Sequence, residues 1–275
     1  MVDRFGREIT QLRVSVTERC NLDCVYCTPP ERNRARRDTA SRRDDTRPDP
    51  LSFEEIADVV RAAVRIGMKR VRLTGGEPLM RPDVDALVSM LAAIDGIEDL
   101  AMSTNGTLLA GRAQALARAG LRRVNISLDS IDPVRYRAIT RGGELSRVLA
   151  GIEAARNAGL EPIKLNCVVE SSSDEPDAIG VARFARENSL EVRFIRRMDF
   201  RAGKFGVVQG AAGGDCARCS RLRLTSDGYV RPCLFSDLSF SVRELGGVEA
   251  LVRAVQSKPQ TGGPCSQSWI RVTGG

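Results

Sequence analysis

The stretch Val14-Ser15-Val16-Thr17-Glu18-Arg19-Cys20-Asn21-Leu22-Asp23-Cys24-Val25-Tyr26-Cys27-Thr28-Pro29 decides how the rest of this 275-residue chain is read. It opens as an alternating apolar run that reads as a strand. Directly after that run stand Cys20, Cys24 and Cys27, in C-x3-C-x2-C spacing. Three thiolates this close can hold three corners of an iron–sulfur cube and leave the fourth iron without a protein ligand. A metal with an open position is placed for chemistry, and a closed one for scaffolding. The plainer alternatives are a disulfide and a zinc site. Zinc wants a fourth protein ligand from elsewhere, and the chain contains no histidine to supply it.

Composition bounds the setting. A chain of this length buries one substantial core and leaves room for a small appendage. Hydrophobic residues at 42% and charged residues at 28% are ordinary for a soluble globular protein. No apolar run reads as a signal peptide or a membrane span, so the expected address is cytoplasmic, with no membrane partner. Thiols stay reduced there, and clustered cysteines point to metal before disulfides. The net charge of +7 suits a phosphorylated substrate or nucleic acid. The basic stretch Arg32 to Arg47 is interleaved with Asp38, Asp44 and Asp45 and lacks aromatics. It is expected to be a solvated loop and not a nucleic-acid arm, so no nucleic-acid partner is expected. Without histidine, every mechanism that needs an imidazole base is excluded.

Outward from the cysteine stretch, strand and helix patterns alternate. Strands are expected at Leu12 to Thr17, Arg70 to Thr74, Leu100 to Ser103, Arg123 to Leu128, Ile163 to Val169 and Glu191 to Ile195. Helices are expected at Leu51 to Ile66 (Ser52 as N-cap, Glu55 three residues on), Pro82 to Ile94 and Ala110 to Ala119. Others follow at Pro133 to Ile139, Leu145 to Ala158 and Asp177 to Glu187. This rhythm implies an α/β fold with a parallel sheet, an incomplete (βα)6 TIM-like barrel. Chemistry in such barrels sits at the C-terminal ends of the strands. Cys20, Gly75 to Glu77, Ser103 to Asn105, Ser127 and Asp129 all fall there.

The rhythm breaks after Met198. Phe200 to Gly214 reads as a connector, and Asp215 to Phe235 carries a second triplet, Cys216, Cys219 and Cys233. A turn at Ser226-Asp227-Gly228 is expected to fold Cys233 back beside the other two. A helix is expected at Val248 to Gln256. The second triplet reads either as another cube or as a zinc ribbon completed by Cys265 or Cys167. Arg221 and Arg223 follow it on one face of a strand, where two guanidiniums repel unless an anion lies between them. Arg13, Arg72, Lys164 and Arg193 occupy strand positions able to face the same lumen. Each alone reads as surface charge; six together read as a polyphosphate pocket.

The triplet spacing with Gly75-Gly76-Glu77-Pro78 resembles the radical S-adenosylmethionine (radical SAM) enzymes. A closer resemblance rests on Gly6-Arg7, L-R-V-S-V-T at Leu12 to Thr17, L-T-G-G-E-P-L-M-R at Leu73 to Arg81, and S-T-N-G at Ser103 to Gly106. It also rests on V-N-I-S-L-D-S at Val124 to Ser130, I-K-L-N at Ile163 to Asn166, R-F-I at Arg193 to Ile195, and the C-terminal cysteine–arginine block. Together these resemble the MoaA-type GTP 3′,8-cyclases of molybdenum-cofactor biosynthesis. The resemblance implies a radical SAM partial barrel over 1–199 and a C-terminal auxiliary iron–sulfur and substrate-binding region over 200–275.

It also implies two [4Fe-4S] clusters, at Cys20, Cys24 and Cys27 and at Cys216, Cys219 and Cys233. Tyr26, Gly76, Ser127 and Met198 would contact S-adenosylmethionine. Arg13, Arg72, Ser103, Lys164, Arg193, Arg221 and Arg223 would contact GTP, and the tail Gly274-Gly275 would reach the active site. Implied partners are an external electron donor, a downstream cyclic pyranopterin monophosphate synthase and a second copy in a homodimer. From the residues alone, Ser127 reads equally as a strand-end hydroxyl, Met198 as filler in an apolar gap, and the tail as a frayed terminus.

Three features depart from the family pattern: a short segment between Met198 and Cys216, Arg196 at a usually acidic position, and Thr28 where methionine is common. The basic insertion after Pro30 is a fourth. Two other readings stand beside the cyclase. One is a two-cluster radical enzyme acting on another nucleotide or a peptide. The other is a basic metalloprotein that binds nucleic acid without turnover.

Overall fold

Period-two alternation organises the sheet. In the computed structural model, which describes residues 1–27, 49–199, 202–203, 206, 208–210 and 213–265, six parallel strands follow one another. These are β1 (Gln11–Ser15), β2 (Arg70–Thr74), β3 (Asp99–Thr104), β4 (Arg123–Ser127), β5 (Lys164–Val169) and β6 (Glu191–Arg196). Leu12, Val14, Val71, Leu73, Leu100, Met102, Val124, Ile126, Leu165 and Cys167 point to one side and are buried. They meet α1 (Phe53–Arg65), α2 (Val84–Ala92), α3 (Ala113–Arg118), α4 (Pro133–Thr140), α5 (Leu145–Asn157) and α6 (Pro176–Glu187) in one continuous core. The intervening residues, Arg13, Arg72, Ser103, Asn125, Asn166 and Arg193 among them, point into the lumen. A parallel sheet packed on both faces would read as unbroken apolar runs. This one alternates because its inner face lines a polar pocket.

The sheet runs on past the barrel strands. β7 (Arg221–Leu224) pairs with β1 in parallel, with Arg13 opposite Arg223. β8 (Tyr229–Arg231) and β9 (Phe240–Ser241) then add on antiparallel. The order across the nine strands is β6-β5-β4-β3-β2-β1-β7-β8-β9, an open sheet and so an incomplete barrel. The β7–β8 turn is the hairpin expected at Ser226-Asp227-Gly228. Gly228 sits there at φ +94°, where a side chain would be strained. A short α7 (Val242–Leu245) leads into α8 (Gly247–Gln256), which packs on α1 and on β8 and β9.

Local signals account for most boundaries. Ser52 caps α1 through a complete capping box with Glu55. Asp132 caps α4, with Pro133 at its first position. Two helices begin later than their sequence pattern suggests. α2 starts at Val84 and not Pro82, because Asp83 adopts a left-handed conformation at φ +53°. Pro78, not Pro82, opens a helical turn, the 3-10 turn Pro78–Met80. α3 starts at Ala113 and not Ala110, because Leu109 and Arg112 are taken up in turns back to Gly106 and Leu109. The basic stretch Arg32 to Arg47 and the tail Gly274-Gly275 lie outside the described residues.

The cap gives a direct test. Ser52→Ala is expected to lower the stability of the apoprotein by about 1 kcal/mol. The readout is a lower urea midpoint at unchanged m-value; an unmoved midpoint would remove the capping box from the account of how α1 is anchored.

Candidate functional site

The first triplet follows β1 at the C-terminal end of the barrel, and its loop is pinned from several sides. Arg81 donates to the carbonyls of Val16 (2.8 Å) and Leu51 (2.6 Å). Gly76 N–H donates to the Thr17 carbonyl at 2.7 Å. A Cβ at Gly76 would stand 2.3 Å from the Arg19 carbonyl oxygen and 2.6 Å from that of Glu18. The bare glycine therefore makes room for the cysteine loop itself. Tyr26 Oη donates to Asp129 Oδ2 at 2.6 Å, and Val168 N–H donates to the other oxygen of the same carboxylate at 2.8 Å. Asn105 Nδ2 donates to Asn21 Oδ1 at 2.9 Å and lies 3.9 Å from the Cys20 sulfur.

Glu77, fully buried, ties the ends of β2 and β3 together. It accepts hydrogen bonds from Leu79 N–H (3.0 Å), Thr104 Oγ1 (2.8 Å) and Asn105 N–H (2.7 Å). Burial outweighs these bonds and pushes its carboxyl up to about 7. Burial likewise raises Asp129 to about 6. Burial, then the nearby Asp129, Cys27 and Cys20, pushes the Cys24 thiol up.

In the second triplet Cys216 and Cys219 precede β7 and Cys233 follows β8. Because β7 runs parallel to β1, Cys216 and Cys219 lie toward the opposite end of the sheet from Cys20, Cys24 and Cys27. Cys216, Cys219 and Cys233 line one cavity of about 60 Å³ together with Arg221, Arg223, Leu234, Phe235 and Lys258. The β7–β8 hairpin thus brings Cys233 back as its turn implied. Burial would raise Cys219, but the Lys258 and Arg221 cations override it and hold this thiol down at about 6. Cys167 lies in the apolar core on the helix side of β5, away from this cavity. The Cys265 sulfur stands 4.0 Å from the Leu234 carbonyl oxygen, beside the loop that carries Cys233. Among the described residues, no three Cys, Asp or Glu side chains are gathered closely enough to ring a single metal ion. Each triplet offers thiolates and no imidazole, a donor set that fits an iron–sulfur cube with one iron left open.

Between the two ends lies a cavity of about 270 Å³ lined by Arg13, Arg70, Arg72, Arg123, Arg193, Arg218, Arg221 and Arg223, with Asp99 as the acid in its wall. Asp99 is engaged by Arg123 at 2.5 Å. Burial, then the Arg223, Arg221 and Arg72 cations, pushes Arg13 down. Burial, then Arg123 and Arg193, pushes Arg72 to about 9, and burial, then Arg221, pushes Arg223 to about 10. Among the described residues, the buried Nε atoms of Arg13, Arg72 and Arg193 have no hydrogen-bond partner. Such a wall is built to meet an anion of several charges.

Of the residues singled out from sequence, Arg13, Arg72, Ser103, Arg193, Met198, Arg221 and Arg223 share this cavity. Ser127 ends β4 on the lumen face. Lys164 is not on the wall, and its ammonium is held by Glu191. Sequence reading missed Gln11, Arg70, Asp99 and Arg123, which stand on the same strand faces, so the alternation that found Arg13 and Arg72 also marks them. It missed the buried Asn125 as well, whose Nδ2 is unpartnered among the described residues. It also missed Lys258, which no motif marks.

The family model for the radical SAM superfamily matches residues 14–183. A protein of Pelotomaculum thermopropionicum named GTP 3′,8-cyclase is 39% identical, with 94% of each chain covered. One of Petrotoga mobilis with the same name is 37% identical over 90% of this chain and 88% of its own. Among solved structures, Streptococcus suis SuiB bound to S-adenosylmethionine aligns over 92% of this chain and 65% of its own. Its TM-score is 0.64 at 15% identity, a likeness of fold.

Glu77 makes the site's anchoring testable through pH. The folded state holds the Glu77 proton more tightly than the unfolded chain, so rising pH deprotonates the unfolded chain first. This group's contribution to stability therefore falls between the ordinary carboxyl value of 4.5 and about 7. Glu77→Gln lacks the titration. The Tm difference between wild type and Glu77→Gln apoproteins should shift against the wild type across that window; a constant difference would contradict the burial argument.

Proposed function

The chain belongs to the GTP 3′,8-cyclase family of the radical SAM superfamily, and from that membership we propose that it is an enzyme that cyclises GTP between C3′ and C8. The observation that carries the proposal is the parallel pairing of β7 with β1. It sets one thiolate triplet beyond each end of a shared strand pair, with the arginine-walled lumen between.

In this reading Cys20, Cys24 and Cys27 hold a [4Fe-4S] cluster, and Tyr26, Gly76, Ser127 and Met198 border S-adenosylmethionine. When bound, the cluster, given one electron by an external donor, and S-adenosylmethionine would supply a 5′-deoxyadenosyl radical able to take the C3′ hydrogen of GTP; closure on guanine C8 would then need a second electron and a proton to reach the 7,8-dihydro product. The product is (8S)-3′,8-cyclo-7,8-dihydroguanosine 5′-triphosphate. Arg13, Arg72, Arg193, Arg221 and Arg223 neutralise the triphosphate, with Ser103 as a further polar contact; Lys164, held by Glu191, is not among them. Cys216, Cys219 and Cys233 hold a second cluster beside the purine end.

What this chain's own residues do is chiefly orientation. The paired guanidinium forks fix the triphosphate at one end, so the ribose points toward the first triplet. The buried, hydrogen-bonded Glu77 and Asp129 keep the cysteine loop rigid against the strand ends. The organisation into a barrel over 1–199 and an auxiliary region over 200–275 belongs to the same proposal. So do an external electron donor, a homodimer, and transfer of the product to a cyclic pyranopterin monophosphate synthase.

Anaerobic reconstitution should yield about eight irons per chain. With GTP, S-adenosylmethionine and dithionite, 5′-deoxyadenosine and the cyclised guanosine should appear in equal amounts. 5′-Deoxyadenosine without a cyclised guanosine would overturn the substrate assignment. Arg72→Ala or Arg223→Ala should weaken GTP binding roughly 10–100-fold with iron content intact. A charge-assisted hydrogen bond of roughly 1.5–3 kcal/mol has that effect. Unchanged affinity in both variants would remove the phosphate role from this wall.

A further inference from the structure

Lys258 follows α8 and is only 2% exposed. A buried ammonium is costly unless negative charge and hydrogen-bond acceptors surround it. Its Nζ donates to the carbonyls of Arg221 and Pro232, both at 2.7 Å. Those two residues stand two positions after Cys219 and one before Cys233. One ammonium therefore clasps the backbone of both segments that deliver thiols. It lines the same 60 Å³ cavity as all three thiols, and it also hydrogen-bonds the Cys219 sulfur. The negative groups that act on it are Cys219 and Cys233, and the neighbouring cation is Arg7.

The position of Lys258 is itself enforced. Arg7 is buried and gripped by Asp3 at 2.6 Å. It donates to the carbonyls of Pro259 (2.7 Å), Gln260 (3.1 Å) and Cys216 (2.8 Å). The N-terminal segment thus clamps the two residues after Lys258 onto the second cysteine loop. The lysine is held in place from both sides of the triplet.

We propose that Lys258 is the built-in counter-charge of the second thiolate triplet, a positioning residue that raises the reduction potential of the cluster held there. This rests on the reading that Cys216, Cys219 and Cys233 carry a cluster. A cluster gains negative charge on reduction, and a fixed cation beside its thiolates favours that state; charge and hydrogen bonds around the sulfurs are what tune such potentials. A merely structural role would require the two carbonyl hydrogen bonds and no charge. Glutamine separates the two cases, because its amide offers two N–H donors and is neutral.

The test is an EPR-monitored redox titration of anaerobically reconstituted full-length wild type, Lys258→Gln and Lys258→Met. Iron is counted in each. The first-triplet signal is identified as the one perturbed by added S-adenosylmethionine. The expected result is a more negative potential for the other signal in both variants, with the first unmoved and the iron count retained. Retained iron with an unshifted potential overturns the proposal. If both neutral variants lose the second cluster, Lys258→Arg decides: retention there supports a charge requirement, and loss there makes Lys258 a packing residue and overturns it. A wild type with iron for only one cluster refutes the underlying two-cluster reading and is distinguishable from every outcome above.

Discussion

Four residues of β1, Gln11 to Val14, lie in parallel register with Arg221 to Leu224, and this pairing is the constraint that the site depends on. A parallel neighbour has its beginning beside the other strand's beginning and its end beside the other's end. The loop that leaves β1 therefore emerges at one end of the sheet, and the loop that enters β7 arrives from the other. Five strand residues span roughly 15 Å, so the two cysteine loops are held apart by about the length of a nucleotide. An antiparallel β7 would have brought its incoming loop to the same end as Cys20. The same register sets Arg13 between Arg72 and Arg223, so the strands that separate the triplets also line the space between them with charge.

That charge is unfavourable in the absence of an anion. Two unit charges about 5 Å apart, the spacing of neighbouring strands, repel by roughly 3 kcal/mol at an effective dielectric of about 20. Several such pairs face the lumen, with Asp99 already engaged by Arg123. Among the described residues of the wall Asp99 offsets only part of this; the opposite face of the same strands supplies the rest. Leu12, Val14, Val71, Leu73, Leu222 and Leu224 are each buried, and full burial of such a side chain contributes roughly 1.5–3 kcal/mol. One face supplies the stability that the other consumes, and strict alternation is the arrangement that allows both. Burial first, and then this repulsion, lowers Arg13, Arg72 and Arg223.

Much of this was legible from the residues. Period-two runs between helical spacings identify the six barrel strands within one or two residues. Turn chemistry at Ser226 to Gly228 foretells that Cys233 returns to Cys216 and Cys219. What the pattern does not carry is long-range pairing. Nothing within Arg221 to Leu224 announces that it will lie beside β1, because backbone hydrogen bonds are available to any sequence and the partner is 210 residues away. Arg70 and Arg123 were overlooked although they obey the alternation that marks Arg72. Lys164 obeys it too, yet its ammonium is held by Glu191. Alternation specifies a face and not a depth along it. Gly76 is a different case: its motif was legible, but the contact that requires glycine comes from the chain's own Glu18 and Arg19 carbonyls.

The two thiolate triplets differ in what surrounds them, and the difference follows from their neighbours in the fold. Cys24 sits among carboxyl and thiol groups, near Asp129, Cys20 and Cys27, where burial holds its proton on. Cys219 sits among cations, with Lys258 and Arg221 against it. The two loops therefore hold their thiols in opposite electrostatic surroundings. The first loop's rigidity comes from hydrogen bonds to Asp129, Asn105 and the Gly75-Gly76 turn, and from the Arg81 guanidinium on the Val16 carbonyl. The second loop is held by the cationic side chains of Arg7 and Lys258. Two groups of three cysteines thus sit in unlike fields toward the two ends of the same sheet.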